Sequence, residues 1–142
     1  MAHFAELTTD NIVTNVIVID DNNCLDSEGN ESEAVGISFC KQVFGENTNW
    51  VQCSYNNRVR GVFPSIGFKY DSELDIFYPK SPYPSWYLDV GTCTWHSPVQ
   101  RPAYDPLTHT INWNESEQRW DVIELVEGQE YPFRDRYQSF LP

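Results

Sequence analysis

Short apolar and aromatic runs alternate with polar turn clusters along most of this chain. The clearest stretch runs from Gly67 to Trp95. Phe68 and Tyr70 lead into Asp71-Ser72-Glu73-Leu74-Asp75, and Ile76-Phe77-Tyr78 lead out. Trp86-Tyr87-Leu88 then lead into Asp89-Val90-Gly91-Thr92, and Cys93-Thr94-Trp95 lead out. Aromatic and β-branched arms around Asp- and Gly-bearing turns predict β-hairpins. The connector Pro79-Lys80-Ser81-Pro82-Tyr83-Pro84-Ser85 cannot extend a ladder, because proline has no N–H to donate. The pattern returns with Ile111-Asn112-Trp113, a turn over Asn114-Glu115-Ser116-Glu117-Gln118, and Arg119-Trp120-Asp121-Val122-Ile123. Three such units in a row predict a small β-protein built from a repeated hairpin.

Toward the N-terminus, Phe4 to Leu7 is a short strand and Thr8 to Asn11 a turn. Ile12 to Ile19 is the strongest strand by β-branched content, and the two make a hairpin. Val16 to Ile19 is continuously apolar, which predicts cover on both faces. The one helical pattern spans Glu33 to Phe44, with Asn30 as cap and Glu33 reaching back to it. Val35, Phe39 and Val43 form its stripe, the Phe39 and Phe44 side packs on the sheet, and Gly45 ends it. Trp50 to Tyr55 alternates as a further strand. Ser97 to Pro106 has the composition of an extended linker. The segment Glu127 to Pro142 is aromatic without a period, the kind of tail that orders against a partner.

The fold class expected is mainly β (α+β): a small antiparallel β-domain of successive hairpins with one packed helix and extended proline-rich arms. Its segments are residues 1–66 (hairpin, helix and strand), 67–97 (two aromatic hairpins) and 98–142 (linker, third hairpin and tail), as one compact unit with an arm.

Composition sharpens this. The chain has 142 residues, 40% hydrophobic and 15% aromatic, so a modest core must depend on Trp, Tyr and Phe. The net charge of −12 opposes partnership with nucleic acid, which needs a basic surface, and with anionic membranes. No Lys or Arg precedes Lys41, while Glu6, Asp10, Asp20, Asp21, Asp26, Glu28, Glu31 and Glu33 are all acidic. That face is either solvated or a patch for a basic partner or cation. Arg58 and Arg60 are the densest positive charge, placed either on an ordinary surface strand or against the acidic loop of the same chain or a neighbour. No apolar run is long enough to span a bilayer. The start, Met1 to Glu6, lacks the basic-then-apolar pattern of a signal peptide, so the expected site of synthesis is the cytosol. Cys24, Cys40, Cys53 and Cys93 are expected as reduced thiols there. Cys24 and Cys40 bracket the acidic loop and are the pair that a disulfide would join.

Catalytic and metal chemistry finds little purchase. The histidines are His3, His96 and His109, and none has the spacing of a zinc site or an evident triad. The Asp20 to Asp26 cluster breaks the order of ligands in a calcium loop. Asp71, Glu73 and Asp75 share one predicted turn, where side-chain bonding to the backbone suits them better than paired acid–base work across a cleft. No catalytic, cofactor-binding or metal-ligating residue is assigned, and the protein is expected not to be an enzyme. Trp86, Tyr87, Trp95, Trp113 and Trp120 are either the core of a thin β-domain or exposed faces for sugars or flat protein surfaces. With Arg58 and Arg60 they form the candidate interaction surface.

A resemblance adds to this. Met1-Ala2-His3-Phe4-Ala5-Glu6-Leu7 and Asn11-Ile12-Val13-Thr14-Asn15-Val16-Ile17-Val18 resemble the start of a group of small proteins encoded by tailed phages of marine cyanobacteria and other marine bacteria. The likeness continues through Phe39-Cys40, Trp50-Val51-Gln52, Ser54-Tyr55-Asn56, Gly67-Phe68-Lys69-Tyr70-Asp71, Leu74-Asp75, Pro82-Tyr83-Pro84-Ser85-Trp86, Leu88-Asp89, Thr92-Cys93 and Trp95. It covers roughly the first 100 residues. The resemblance implies a non-enzymatic virion protein, assembled in the host cytoplasm, whose partners are phage capsid or tail proteins and which sits on the particle in multiple copies. A decoration or cement protein on the capsid exterior is the first expectation. A tail, baseplate or fibre component contacting host-surface glycans is the alternative.

Overall fold

The computed structural model describes residues 1–131, so most of the tail expected to order against a partner lies outside the described residues. Strands β1 (Ala2–Leu7), β2 (Val13–Ile19) and β3 (Asn49–Cys53) form an antiparallel sheet in the order β2-β1-β3. The short strand β1 is therefore the centre, and the more β-branched β2 is an edge. Phe4 sits opposite Ile17 on one side and Gln52 on the other. A bulge at Glu6/Leu7 shifts the β1–β2 register before the turn.

Side-chain alternation along β1 divides the core in two. Ala2 and Phe4 pack with Ile19, Cys24, Cys40 and Trp50 beneath helix α1 (Glu33–Phe44). Ala5 and Leu7 pack on the other face with Val13, Cys53 and Phe77. The expected cover on both faces of the N-terminal hairpin is present, although Val18 at the edge stays half exposed.

The helix has the expected bounds and stops at Gly45, but its details differ. Ser32, not Asn30, is the cap, its Oγ accepting from the Val35 N–H at 3.3 Å. Asn30 is engaged with Asp26, whose carboxylate closes the preceding loop by accepting from the N–H groups of Glu28 and Asn30. The packed stripe is Gly36, Ile37 and Cys40 with Phe39, while Val43 and Phe44 are exposed. The reason is Gly36: a Cβ there would overlap the ring of Phe4, so the helix settles onto the sheet over its smallest residue.

Three two-stranded hairpins follow: β4 (Lys69–Asp71) with β5 (Ile76–Tyr78), β6 (Tyr87–Asp89) with β7 (Thr94–His96), and β8 (His109–Asn114) with β9 (Arg119–Glu124). All three use the same turn. Asp71, Asp89 and Asn114 pair with Ile76, Thr94 and Arg119 across four-residue loops. Each loop closes on a residue in left-handed backbone, Asp75 (φ 56°), Cys93 (φ 58°) or Gln118 (φ 50°). Asp71 accepts from the N–H groups of Glu73 and Leu74, the turn-forming role its position predicts.

The chain divides into two compact units, one of Met1–Lys80 with Gly91–Cys93 and the other of Ser81–Val90 with the residues from Thr94 onward. This differs from the boundary expected near residue 66, because Phe77 of the first hairpin is fully buried in the core of the first unit. In the second unit Trp86, Ile111 and Trp113 are buried, with Tyr83, Trp95, Tyr104 and Trp120 packed around them. Residues 97–106 are not a free linker. The Trp120 indole N–H donates to Ser97 Oγ at 3.0 Å and to the Val99 carbonyl at 3.1 Å, and the Arg101 guanidinium lies over the Trp120 ring.

Candidate functional site

The two edges of the β2-β1-β3 sheet are finished differently. At β3, the Gln52 peptide points away from β1 and is satisfied on both sides. Its N–H donates to Glu33 Oε2 at 2.8 Å, and its carbonyl accepts from Arg60 Nη1 at 3.0 Å. Glu33 and Arg60 are joined in turn by a two-pronged ion pair, Nη1 to Oε2 at 2.6 Å and Nη2 to Oε1 at 3.0 Å. Arg60 Nε also donates to Asp75 Oδ1 at 2.6 Å, and the Tyr70 hydroxyl donates to the same oxygen. A side-chain assembly thus occupies the place of a fourth strand, the standard way to blunt an edge. Burial alone would lower the Arg60 pKa, but bonding to Glu33, Asp75 and Tyr70 outweighs it and raises the value, so the cation is secured. The Asp75 carboxyl is held below its usual range by the Tyr70 hydroxyl, against burial and with help from Arg60.

At β2 the arrangement is reversed. Because Gln52 faces outward, Phe4 opposite it points its backbone groups at β2, where Ile17 receives them. Val16 and Val18 must then face away from the sheet. The segment beyond Ile66 covers only the start of this edge, through Gly67 N–H to Val13 O and Val13 N–H to Phe68 O. Among the described residues nothing bonds the outward groups of Val16 and Val18. The strand Val13–Ile19 carries no charged side chain, so the usual guards of an open edge are missing.

A cavity of about 330 Å3 opens at the start of β1, lined by His3, Glu31, Cys53, Tyr55 and Arg58 among others. His3 stands directly across the ladder from Cys53. A nucleophile–base pair is nonetheless unavailable at neutral pH, because burial pushes the Cys53 thiol up to about 12. Burial also raises Cys24, and raises Cys40 to about 11. All four cysteines are buried thiols outside any disulfide, and the Cys24–Cys40 disulfide is not formed: both thiols sit in the apolar cluster beneath α1.

The raised thiols predict an alkaline loss of stability. Folded Cys40 and Cys53 keep protons that the unfolded chain releases above the ordinary value near 9. Stability is therefore intact below pH 9 and falls by about 1.4 kcal/mol per pH unit per thiol as pH rises toward the folded values. Together the two cost about 2–3 kcal/mol at pH 10. Urea unfolding at pH 8, 9 and 10 checks this. A flat profile, or one unchanged in a Cys40→Ala/Cys53→Ala variant, refutes the assignment.

The candidate surface residues separate. Trp86 and Trp113 are only 6% and 3% exposed, so they are core and not a platform for sugars. The cause is mutual packing: Trp86 meets Trp113 edge-on at 6.0 Å and Trp120 at 5.8 Å, and Trp113 meets Trp120 at 5.2 Å. Trp95 and Trp120 are partly buried against the same cluster. Tyr87 alone of the five is open, 58% exposed and stacked on His96, which lies 3.6 Å from Asp89. Arg60 is internal to the edge cap, pairing with Glu33 at the end of the acidic stretch of its own chain. Arg58 is exposed at the cavity. The sequence offers the acidic loop of the same chain as one partner for Arg60 without singling out Glu33, and it holds no sign of Asp75; the two lie 27 and 15 residues away and no local pattern joins them. Sequence reasoning also missed that β2 would be the open edge. No family model, no curated protein and no solved structure matches this chain.

Proposed function

We propose that this chain is a non-enzymatic structural protein of a tailed-phage virion, an accessory protein that decorates or cements the capsid exterior in multiple copies. The observation that carries the reading is the contrast between the two sheet edges. One is capped at Gln52 by a built ion-pair assembly, and the other is open, uncharged and apolar from Val16 to Val18, an element for assembly by strand addition. Two further features support it. The charged groups described above serve the frame: Asp20, Asp26 and Asp71 close turns, and Glu33, Arg60 and Asp75 cap an edge. The excess acidity, −12 overall, suits the outward face of a particle that must stay dispersed. The virion assignment itself comes from the resemblance of the first 100 residues to small tailed-phage proteins.

The test is mass spectrometry of purified virions after heads and tails are separated. High copy number in heads is the expected result. Low copy number in tails would replace the cement role with a tail, baseplate or fibre role. Absence from both fractions would overturn the virion reading altogether.

A further inference from the structure

We infer that the open edge of β2 is the contact between two copies of this chain, which pair their β2 strands antiparallel about a two-fold axis through Ile17. The inference rests on the reading of this chain as an assembly protein and names the partner of its open edge.

Register decides the occupant. The outward backbone groups belong to Val16 and Val18. An antiparallel partner must present outward groups at matching positions. A second copy does so when Val16 of one chain faces Val18 of the other, which places Ile17 against its own counterpart. The stretch Val16-Ile17-Val18 reads the same in both directions, so each copy offers what the other needs. In this register the half-exposed Val18 is covered by a β-branched neighbour, and Asn15 meets Ile19 and Thr14 meets Asp20. No like charges stand opposite one another.

The two Asp20 carboxylates lie six residues apart along the shared ladder, about 20 Å at the rise of an extended strand. The nearer like charges are Glu6, which stands across from Asn15, and Asp20 of the second copy, two strand spacings and one residue away, about 10 Å between backbones. That is close to the screening length of about 8 Å at physiological ionic strength, so added salt weakens this repulsion. The dimer is therefore expected to tighten as salt is raised, the opposite of a contact made by ion pairs.

The assembly also resists extension. The joined sheet runs β3-β1-β2-β2-β1-β3, and both of its outer edges are β3 strands carrying the Glu33–Arg60 cap. The cap at Gln52 works against further growth, where an uncapped β3 would allow a fibre.

Sedimentation equilibrium of the full chain tests this. The expected result is a species of twice the 16.5 kDa chain mass, strengthened by salt. Val18→Pro removes an N–H that points away from β1, so the internal ladder is kept while the shared one is broken. It should weaken the dimer by at least about tenfold with an unchanged circular dichroism spectrum. Should that variant misfold, Val18→Lys serves instead, setting an ammonium against the apolar Val16 of the second copy. A chain that stays monomeric at high salt, or a folded variant of undiminished association, overturns the pairing. A monomer that is still found in phage heads leaves the proposed function standing and sinks only the dimer. A dimer absent from virions does the reverse.

Discussion

Replacing Arg60 by Ala should destabilise the protein by about 3 kcal/mol, the cost of breaking a partly buried pair by removing one member. The Arg60 side chain is only 17% exposed and makes four bonds. Its loss leaves the Glu33 carboxylate without its cation and the Gln52 carbonyl without its outer donor. At this chain length the effect corresponds to a fall of about 10 °C in Tm. Arg60→Lys keeps the charge but not the fork that grips both Glu33 oxygens, so it should recover only part of the loss. The double variant Arg60→Ala/Glu33→Ala should be less destabilised than the two single losses added together, because no lone carboxylate remains. Arg60→Ala should also aggregate on heating, since it uncovers the β3 edge. A loss under about 0.5 kcal/mol would reduce the network to an ordinary surface ion pair.

The same network sets the acid limit. The folded Asp75 carboxyl lies below its ordinary value, so its contribution is complete above the unfolded carboxylate range near pH 4 and is lost as pH falls through the folded value.

What the sequence discloses and what it withholds follow the range of the forces involved. The three hairpins are written locally in that an Asp or Asn opens each loop, while the left-handed closing residue suits its conformation only at Asp75 and not at Cys93 or Gln118. The helix bounds are equally local. The order of the central sheet is not. β2 looks dominant because Val and Ile favour strands, yet β1 is the centre because it alone pairs twice, once with a strand more than forty residues away. The cap of α1 is less local: Asn30 has the Glu three residues on that a capping box asks for, yet it is engaged by Asp26 and Ser32 caps instead. The aromatic residues pose the same difficulty. Trp86 and Tyr87 are neighbours of similar composition, and strand alternation sends one inward and leaves the other 58% exposed.

That pair supplies the sharpest test of the second unit. Trp86→Ala should cost about 3–5 kcal/mol, the range for deleting a large aromatic from a packed core. Its ring touches Tyr83, Trp113 and Trp120, with centroids 5.7–6.0 Å away, so the cavity left behind would be lined by rings that cannot all close on it. Tyr87→Ala, one residue on, should change stability by no more than about 0.5 kcal/mol, as exposed substitutions do. Thermal unfolding followed by near-ultraviolet circular dichroism compares the two, because that signal depends on fixed contacts among the tryptophans. The comparison also decides the sugar-binding alternative. If Trp86→Ala keeps its fold and loses binding to host-surface glycans, Trp86 is a contact residue and the core assignment fails. If it unfolds while Tyr87→Ala remains native, the tryptophans hold the unit together. Any glycan or protein contact on this hairpin then falls to the exposed ring of Tyr87, backed by His96 and Asp89.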